Sequence, residues 1–192
     1  MLAKRQSMPK LGYSEPEAHN QMQSNYFACC AALVATLLIG TPARAADPSV
    51  RTFGVAQVQE VYRILLDRDA LLLESIVDVI KEKNVQDGEV LVTSGSVQEC
   101  TYHYVTSTAA KPKNAYKTVK GPYEILNAGG IIAAGEPHIH ITLSSLGKEA
   151  IGGHLEKGCR VLYLAEVTIL KYSGPPLIRK DNENGVSLLQ AK

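Results

Sequence analysis

The chain has 192 residues, of which 45% are hydrophobic and 20% charged, a composition typical of a folded globular protein and not of a disordered one. This length suits one well-buried domain and is short for two. The formal net charge of +1 provides no overall attraction to nucleic acid, so charge alone does not indicate a DNA- or RNA-binding protein.

The N-terminal segment has the pattern of a secretory signal. An uncharged apolar run of 13 residues, FACCAALVATLLI at 27–39, follows three basic residues: Lys4, Arg5 and Lys10. The run is shorter than the ~20 residues that a bilayer span needs and matches the apolar core of a signal peptide. We therefore predict a signal peptide at 1–45, with Met22 as an alternative start. An uncleaved N-terminal anchor is the alternative interpretation.

Cleavage after Ala45 would follow the small-x-small pattern made with Ala43. The mature chain would then carry 16 Lys and Arg against 17 Asp and Glu. We expect an exported protein, periplasmic or secreted, with no stable membrane span after signal cleavage. Cys100 and Cys159 would lie in an oxidising setting, where one disulfide or two separate buried thiols are both compatible with the sequence.

Residues 46–60 are predicted to be an irregular lead-in, followed by a short strand near 62–66. The clearest helix comes next, because apolar residues recur at i, i+3, i+4 and i+7 and would share one face: Leu73, Ile76, Val77 and Ile80. Asp67 or Asp69 could cap its start. Lys81 and Lys83 suit its C-terminal end.

The rest of the chain is predicted to be strands. A Ser-Gly-Ser kink separates strands at 90–93 and 97–105, and a polar hairpin loop follows at 106–121. Gly129 and Gly130 break the next segment into two short strands, and further strands follow at 138–144 and 159–172. The segment 173–192, which contains Pro175-Pro176 and DNENG, is predicted to be a flexible tail.

Strands that follow one another through short turns indicate an α+β fold, mainly an antiparallel or mixed sheet with one principal helix. The folded domain is predicted to span 61–172.

Three of the five histidines lie within EPHIHITLSSLGKEAIGGHL at 136–155. Because strand side chains alternate between faces, His138 and His140 project from the same face. His154 follows after a turn, and Gly152-Gly153 would let the chain approach closely. Three imidazoles suit zinc and leave a fourth position for water or a ligand. The alternative is that these are ordinary exposed strand residues, and His103 in TYHYV is interpreted in that way.

Three linked motifs carry a resemblance to a known family: GPYEILNAGGII, PHIHITLSSLGKEAIGGHL and the preceding SGS. In this order they resemble the PPC (plant and prokaryote conserved) domain family, over about 62–172. The resemblance implies an α+β domain that assembles as a homotrimer, and a zinc ion held by His138, His140 and His154. It therefore favours the metal-binding prokaryotic branch of the family.

The family also contains plant DNA-binding proteins, which contact DNA through a separate basic segment of the R-G-R-P type. This chain lacks that segment, and its export signal departs from a family associated mainly with the cell interior. A basic run could still contact an anion or a nucleic-acid backbone through Lys111, Lys113, Lys117 and Lys120. We interpret it as a solvated loop and expect no nucleic-acid partner.

Two carboxylates, Glu124 and Glu136, are candidates for a place near the metal. Glu136 could act as a general base, although a solvent-facing turn residue is the simpler interpretation. The first hypothesis is thus a metal-dependent module that binds or senses an unidentified small ligand. The alternatives are a hydrolase or lyase that uses zinc-bound water with Glu136 assisting, and a DNA-binding protein.

Overall fold

The computed structural model describes residues 50–192, and the predicted signal peptide at 1–45 lies outside this range. Within it, no helix is long and apolar enough to span a membrane. The described chain forms one helix and eight strands: β1 (Gln57–Asp67), α1 (Leu72–Glu82), β2 (Asp87–Val105), β3 (Asn114–Ala133), β4 (Glu136–Ser144), β5 (Ile151–Leu155), β6 (Arg160–Ser173), β7 (Leu177–Asp181) and β8 (Ser187–Ala191).

The first six strands form one antiparallel sheet in the order β1-β6-β2-β3-β4-β5. Its last strand also pairs with β2, where Tyr102 lies opposite Leu155 and His103 opposite His154. Strands β2, β3, β4 and β5 therefore close into a ring. The single helix is eleven residues long, so the fold is more strongly β than the expected α+β class suggests.

The core lies between this sheet and α1, which packs against it through Leu72, Ile76 and Ile80. The sequence correctly places Ile76 and Ile80 on the buried face. Leu73 and Val77 are only half-buried, because the face that contacts the sheet is centred one residue earlier, at Leu72. Every second residue along parts of the strands is also buried in the core, among them Val90, Val92, Ile139, Ile141 and Ile169.

The predicted aspartate cap of α1 is wrong. The helix begins after Leu71, and no side chain caps it. Asp67 ends β1, while Asp69 has a φ of 71° and accepts a hydrogen bond from Gln98 Nε2 at 2.6 Å. The backbone N–H of Leu72 donates to the carbonyl of Cys159 at 2.8 Å, so the residue before β6 satisfies one N–H of the first turn.

Two predicted strand breaks are also wrong, because the glycines are accommodated within continuous strands. β2 runs through Ser94-Gly95-Ser96 with shifts of register against β6, which is the signature of bulges. β3 runs through Gly129-Gly130. A Cβ at Gly130 would overlap the carbonyl oxygen of His138, so this glycine permits the close approach of β3 and β4.

The polar loop is shorter than predicted. It spans 106–113 and is closed by a hydrogen bond from the Thr106 N–H to the Lys113 carbonyl at 2.8 Å. The remaining predicted loop residues form the start of β3, so Lys117 and Lys120 lie on a strand.

The predicted lead-in and tail both contain regular structure. β1 already begins at Gln57, and the C-terminal segment forms the hairpin β7–β8. The Asn182 side chain accepts hydrogen bonds from the backbone N–H groups of Asn184 at 3.0 Å and Val186 at 2.9 Å. Gly185 adopts a φ of 74° in the same turn. DNENG therefore encodes a hairpin turn, which its polar composition alone did not reveal.

Candidate metal centre

β4 provides two of the three candidate histidines. Ile139 and Ile141 are buried, and the alternating positions His138 and His140 lie together on the opposite face. Their Nε2 atoms are 3.3 Å apart. The predicted strand and its predicted face are therefore present.

β5 brings the third histidine to the same place, because His154 lies directly opposite His140 in the register of β4 and β5. The ring centroids of His138 and His154 are 4.5 Å apart. The two preceding glycines make this possible: a Cβ at Gly152 would overlap the Ile141 carbonyl, and one at Gly153 would overlap the His103 carbonyl. The nearest ligand atoms of the three histidines all lie within 4.8 Å of one another.

This donor set fits a zinc ion. Zinc binds imidazole nitrogens at about 2.0–2.1 Å, so two nitrogens in a tetrahedral site lie about 3.3 Å apart. The Nε2 separation of His138 and His140 has this value. A ligand nitrogen of His154 lies within 4.8 Å of ligand nitrogens of the other two histidines, so the three can form one donor set.

The environment also keeps two of the imidazoles, those of His138 and His154, in the form that binds metals. Burial, together with the nearby Arg179 and the other histidines, lowers the pKa of His138 to about 4. Burial is likewise the main reason that the pKa of His154 is lowered, and His103 adds to it. Both rings are therefore neutral at neutral pH, and a neutral ring offers a lone pair to a metal.

His103 contributes to the site in a way that the sequence did not reveal. It lies on β2, as predicted, but its ring centroid is 4.6 Å from that of His154. Its Nδ1 is 2.6 Å from Oε1 of Glu156, and both side chains are partly buried. His103, His154 and Glu156 form a second group of potential metal ligands that shares His154 with the first. The only hint in the sequence is that Glu156 follows His154 by two residues, the spacing at which side chains of an extended chain point to the same side.

Arg179 is a second residue that sequence reasoning missed. It lies on β7, within the segment predicted to be a tail, and its positive charge contributes to the lowered pKa values of His138 and His154. Burial lowers its own pKa. Its Nε atom is buried and has no hydrogen-bond partner among residues 50–192.

The structure does not bring the predicted carboxylates to the histidines. Glu136 begins β4 but lines a groove beside α1 together with Leu73 and Lys81, and it does not join either ligand group. Glu124 is exposed on β3, opposite Ser96 and Ser144. The carboxylate beside the site is Glu156.

The two cysteines meet, and the four lysines do not form a compact cluster. Cys100 and Cys159 form a disulfide, so neither sulfur is a free thiolate that could bind a metal. All four lysines are exposed, with Lys111 and Lys113 on the loop and Lys117 and Lys120 on β3. Lys120 pairs with Glu99 at 3.1 Å, which reduces the free positive charge of this surface.

Comparison with known families identifies the fold. Residues 54–173 match the Plants and Prokaryotes Conserved (PCC) domain, also written PPC. The chain belongs to this family. The predicted family is thereby confirmed, and the PCC domain includes β1 to β6 but ends before the hairpin β7–β8. No curated protein matches the chain.

Several solved structures share the fold. A metal-containing protein from Archaeoglobus fulgidus is 25% identical with a TM-score of 0.63, and the alignment covers 73% of this chain and 99% of that one. A PPC protein from Pyrococcus horikoshii is 21% identical with a TM-score of 0.61, covering 74% and 99%. A protein from Bacteroides thetaiotaomicron, named as a possible DNA-binding protein, is 21% identical with a TM-score of 0.63, covering 70% and 94%.

Proposed function

We propose that this protein is an exported PCC-domain module that binds a small ligand through a zinc ion held by His138, His140 and His154. The observation that carries the proposal is the convergence of three histidine ligand atoms within 4.8 Å on two paired strands. When bound, zinc would supply a Lewis-acidic centre with an open coordination position. The neutral state of His138 and His154 supports this assignment.

The donor chemistry favours zinc over magnesium or calcium, because imidazole nitrogen suits zinc whereas those two ions prefer oxygen. The metal content of the Archaeoglobus fulgidus relative is consistent with a metal site on this fold. A set of three histidines also suits ligand exchange better than a closed structural site, which takes four protein ligands.

The test is the metal content of the protein comprising residues 46–192, measured per subunit after zinc reconstitution and dialysis. We expect near-stoichiometric zinc in the wild type, its loss in His140→Ala and its retention in Glu136→Gln, because Glu136 lies in the groove beside α1. Reconstituted wild-type protein that holds no zinc, while keeping its fold by circular dichroism, would refute the proposal.

Export to the periplasm or the medium remains part of the proposal. The apolar run at 27–39 supports it, and so does the disulfide between Cys100 and Cys159, since disulfides persist in oxidising compartments. Cell fractionation with an antibody tests this directly. Recovery of the full-length protein in the cytoplasm with free thiols would contradict it.

We also propose that the protein assembles as a homotrimer, as the family resemblance implied. Exposed apolar side chains on the sheet support a subunit interface. They include Leu126 of the GPYEIL motif and, on β1 and β6, Val61, Leu65 and Tyr163. Light scattering coupled to size-exclusion chromatography should give a mass of three subunits, and a monomer at micromolar concentration would contradict the assignment.

A hydrolase or lyase is the second candidate function, and the His103–Glu156 pair is the observation that favours it. A carboxylate hydrogen-bonded to Nδ1 of an imidazole fixes the orientation of the ring, so Nε2 of His103 would be the atom that exchanges a proton with a substrate beside the site. The test is turnover of ester, phosphoester and lactone probes by zinc-loaded protein. If this candidate is correct, Glu156→Gln should lower kcat, and Glu136→Gln should not.

DNA binding is not the function that we propose. The lysines are spread over a loop and a strand, and one of them is paired with Glu99. If DNA were a ligand, binding would weaken steeply with salt and would require Lys111, Lys113 and Lys117. We expect that replacing these three lysines by glutamine leaves metal content and ligand binding unchanged.

A further inference from the structure

The C-terminal hairpin contributes an arginine to the histidine side of the sheet. β7 contacts β3, and Leu177 of β7 lines one groove together with Ile131 of β3. Ile131 is the cross-strand partner of His138. Because strand side chains alternate, Arg179 projects from the same side of β7 as Leu177. Arg179 therefore lies on the side of the sheet that carries His138.

The state of Arg179 agrees with this placement. Its Nε is buried with no hydrogen-bond partner among the described residues. Buried polar groups in proteins nearly always have partners, so an unpartnered guanidinium N–H beside a group of metal ligands calls for an explanation.

We propose that Arg179 is a ligand-binding residue and that the small ligand of the metal centre is an anion with a carboxylate or another oxoanion group. The proposal rests on the function proposed above and specifies its ligand class. The guanidinium group carries a fixed positive charge and planar donors that match carboxylate and oxoanion oxygens. An anion that completes the coordination of the metal would also satisfy the buried Nε–H.

The position of Arg179 in the chain argues against a purely structural role. It lies beyond residue 173, where the match to the PCC domain ends, so the family fold is complete without it. The hydrophobic core of that fold contains no residue of β7 or β8. We therefore infer that the hairpin adds ligand selectivity to a metal site that the domain itself provides.

The experiment compares three variants of the protein comprising residues 46–192, each loaded with Co²⁺ in place of zinc so that anion binding can be followed by visible absorption. The probes are acetate and inorganic phosphate, titrated at constant ionic strength with chloride as the reference anion. Arg179→Gln removes the charge and the guanidinium donors, and Arg179→Lys keeps the charge but removes the planar group. Lys180→Gln is the matched control, because Lys180 is the exposed neighbour of Arg179 on β7 and the substitution removes the same charge.

We expect all three variants to bind one metal per subunit. Arg179→Gln should weaken acetate or phosphate binding by about 10-fold or more, the size expected for a lost charge-assisted hydrogen bond. Arg179→Lys should weaken it less, and Lys180→Gln should leave it within about 2-fold. Preference for acetate would identify the ligand class as a carboxylate, and preference for phosphate as a tetrahedral oxoanion.

Three results would overturn the inference. Equal anion affinity in the wild type and Arg179→Gln, with full metal content in both, would remove Arg179 from the site and leave the proposed function standing. Loss of metal in Arg179→Gln would instead assign Arg179 a structural role. Absence of metal from the wild type itself would refute the proposed function and the inference together.

Discussion

His103 Nδ1 lies 2.6 Å from Oε1 of Glu156, and the His103 ring lies 4.6 Å from the ring of His154. His154 is therefore shared between two groups of potential ligands, one completed by His138 and His140 and the other by His103 and Glu156. In the second group, Nδ1 of His103 and Oε1 of Glu156 already contact each other. The first group contains no ion pair, and the Nε2 atoms of His138 and His140 contact each other at 3.3 Å.

The first prediction separates these two groups. His103→Ala should retain near-stoichiometric zinc, because it leaves His138, His140 and His154 in place, whereas His138→Ala should lose it. Zinc content by atomic absorption after dialysis measures both. A small loss of affinity in His103→Ala is expected, since its ring packs beside His154. The reverse pattern, with zinc lost from His103→Ala and kept in His138→Ala, would assign the metal to the second group.

The second prediction concerns the acid sensitivity of the metal-free protein. Burial first, then the charges of Arg179, His154, His140 and His103, lowers the pKa of folded His138 to about 4, below the ordinary 6.5 of an unfolded chain. Between these two pH values the unfolded chain takes up a proton that the folded site does not accept. The free energy of unfolding should therefore fall as pH drops from about 6.5 to about 4.

His138→Gln removes this contribution. Its free energy of unfolding should fall less between pH 7 and pH 4.5 than that of the wild type, by about 1–2 kcal/mol once solvent screening of this partly exposed site is allowed for. Urea unfolding of both metal-free proteins at the two pH values gives the comparison. An identical fall in the two proteins would show that His138 does not contribute to the acid sensitivity.

The third prediction tests the close contact of β3 and β4. Gly130→Ala should destabilise the protein by about 1–3 kcal/mol or more and weaken zinc binding, because the new Cβ overlaps the carbonyl of His138 and displaces a ligand strand. Gly129→Ala is the matched control, since its Cβ would lie 3.3 Å from the Val90 carbonyl and needs only a small adjustment. Chemical unfolding and zinc titration should rank the two variants in this order. Equal stability would contradict the close approach.

The fourth prediction concerns the disulfide. It joins β2 to the residue before β6 across 59 positions, so its removal should destabilise the protein by about 4 kcal/mol in the chain-entropy model. The double variant Cys100→Ala with Cys159→Ala, compared with the oxidised wild type in urea, measures this loss. Thiol titration of unfolded, unreduced protein comprising residues 46–192 should find no free thiol, and two free thiols would show that the bond is absent.

Local patterns in the sequence were sufficient to identify the family, the helix and the shared face of His138 and His140. The helix and the shared face depend on periods of 3.6 and two residues, which follow from backbone geometry within one element. The family depends on contiguous motifs, which can be read directly from the sequence. The same reasoning misjudged glycines. Gly95 and Gly130 resemble strand breakers when read alone, but they lie inside long strands, at points where the neighbouring backbone comes too close for a side chain.

Long-range pairing decided the rest of the site. The closure of β5 onto β2 brings His103 and Glu156 beside His154, and the C-terminal hairpin brings Arg179 near the same histidines. Glu136, which is only two residues from His138, faces a groove beside α1 instead. The sequence by itself determined the family and the candidate zinc ligands. Only the tertiary structure decided which charged groups surround them, because hydrogen bonds between strands that are distant in the chain set that arrangement.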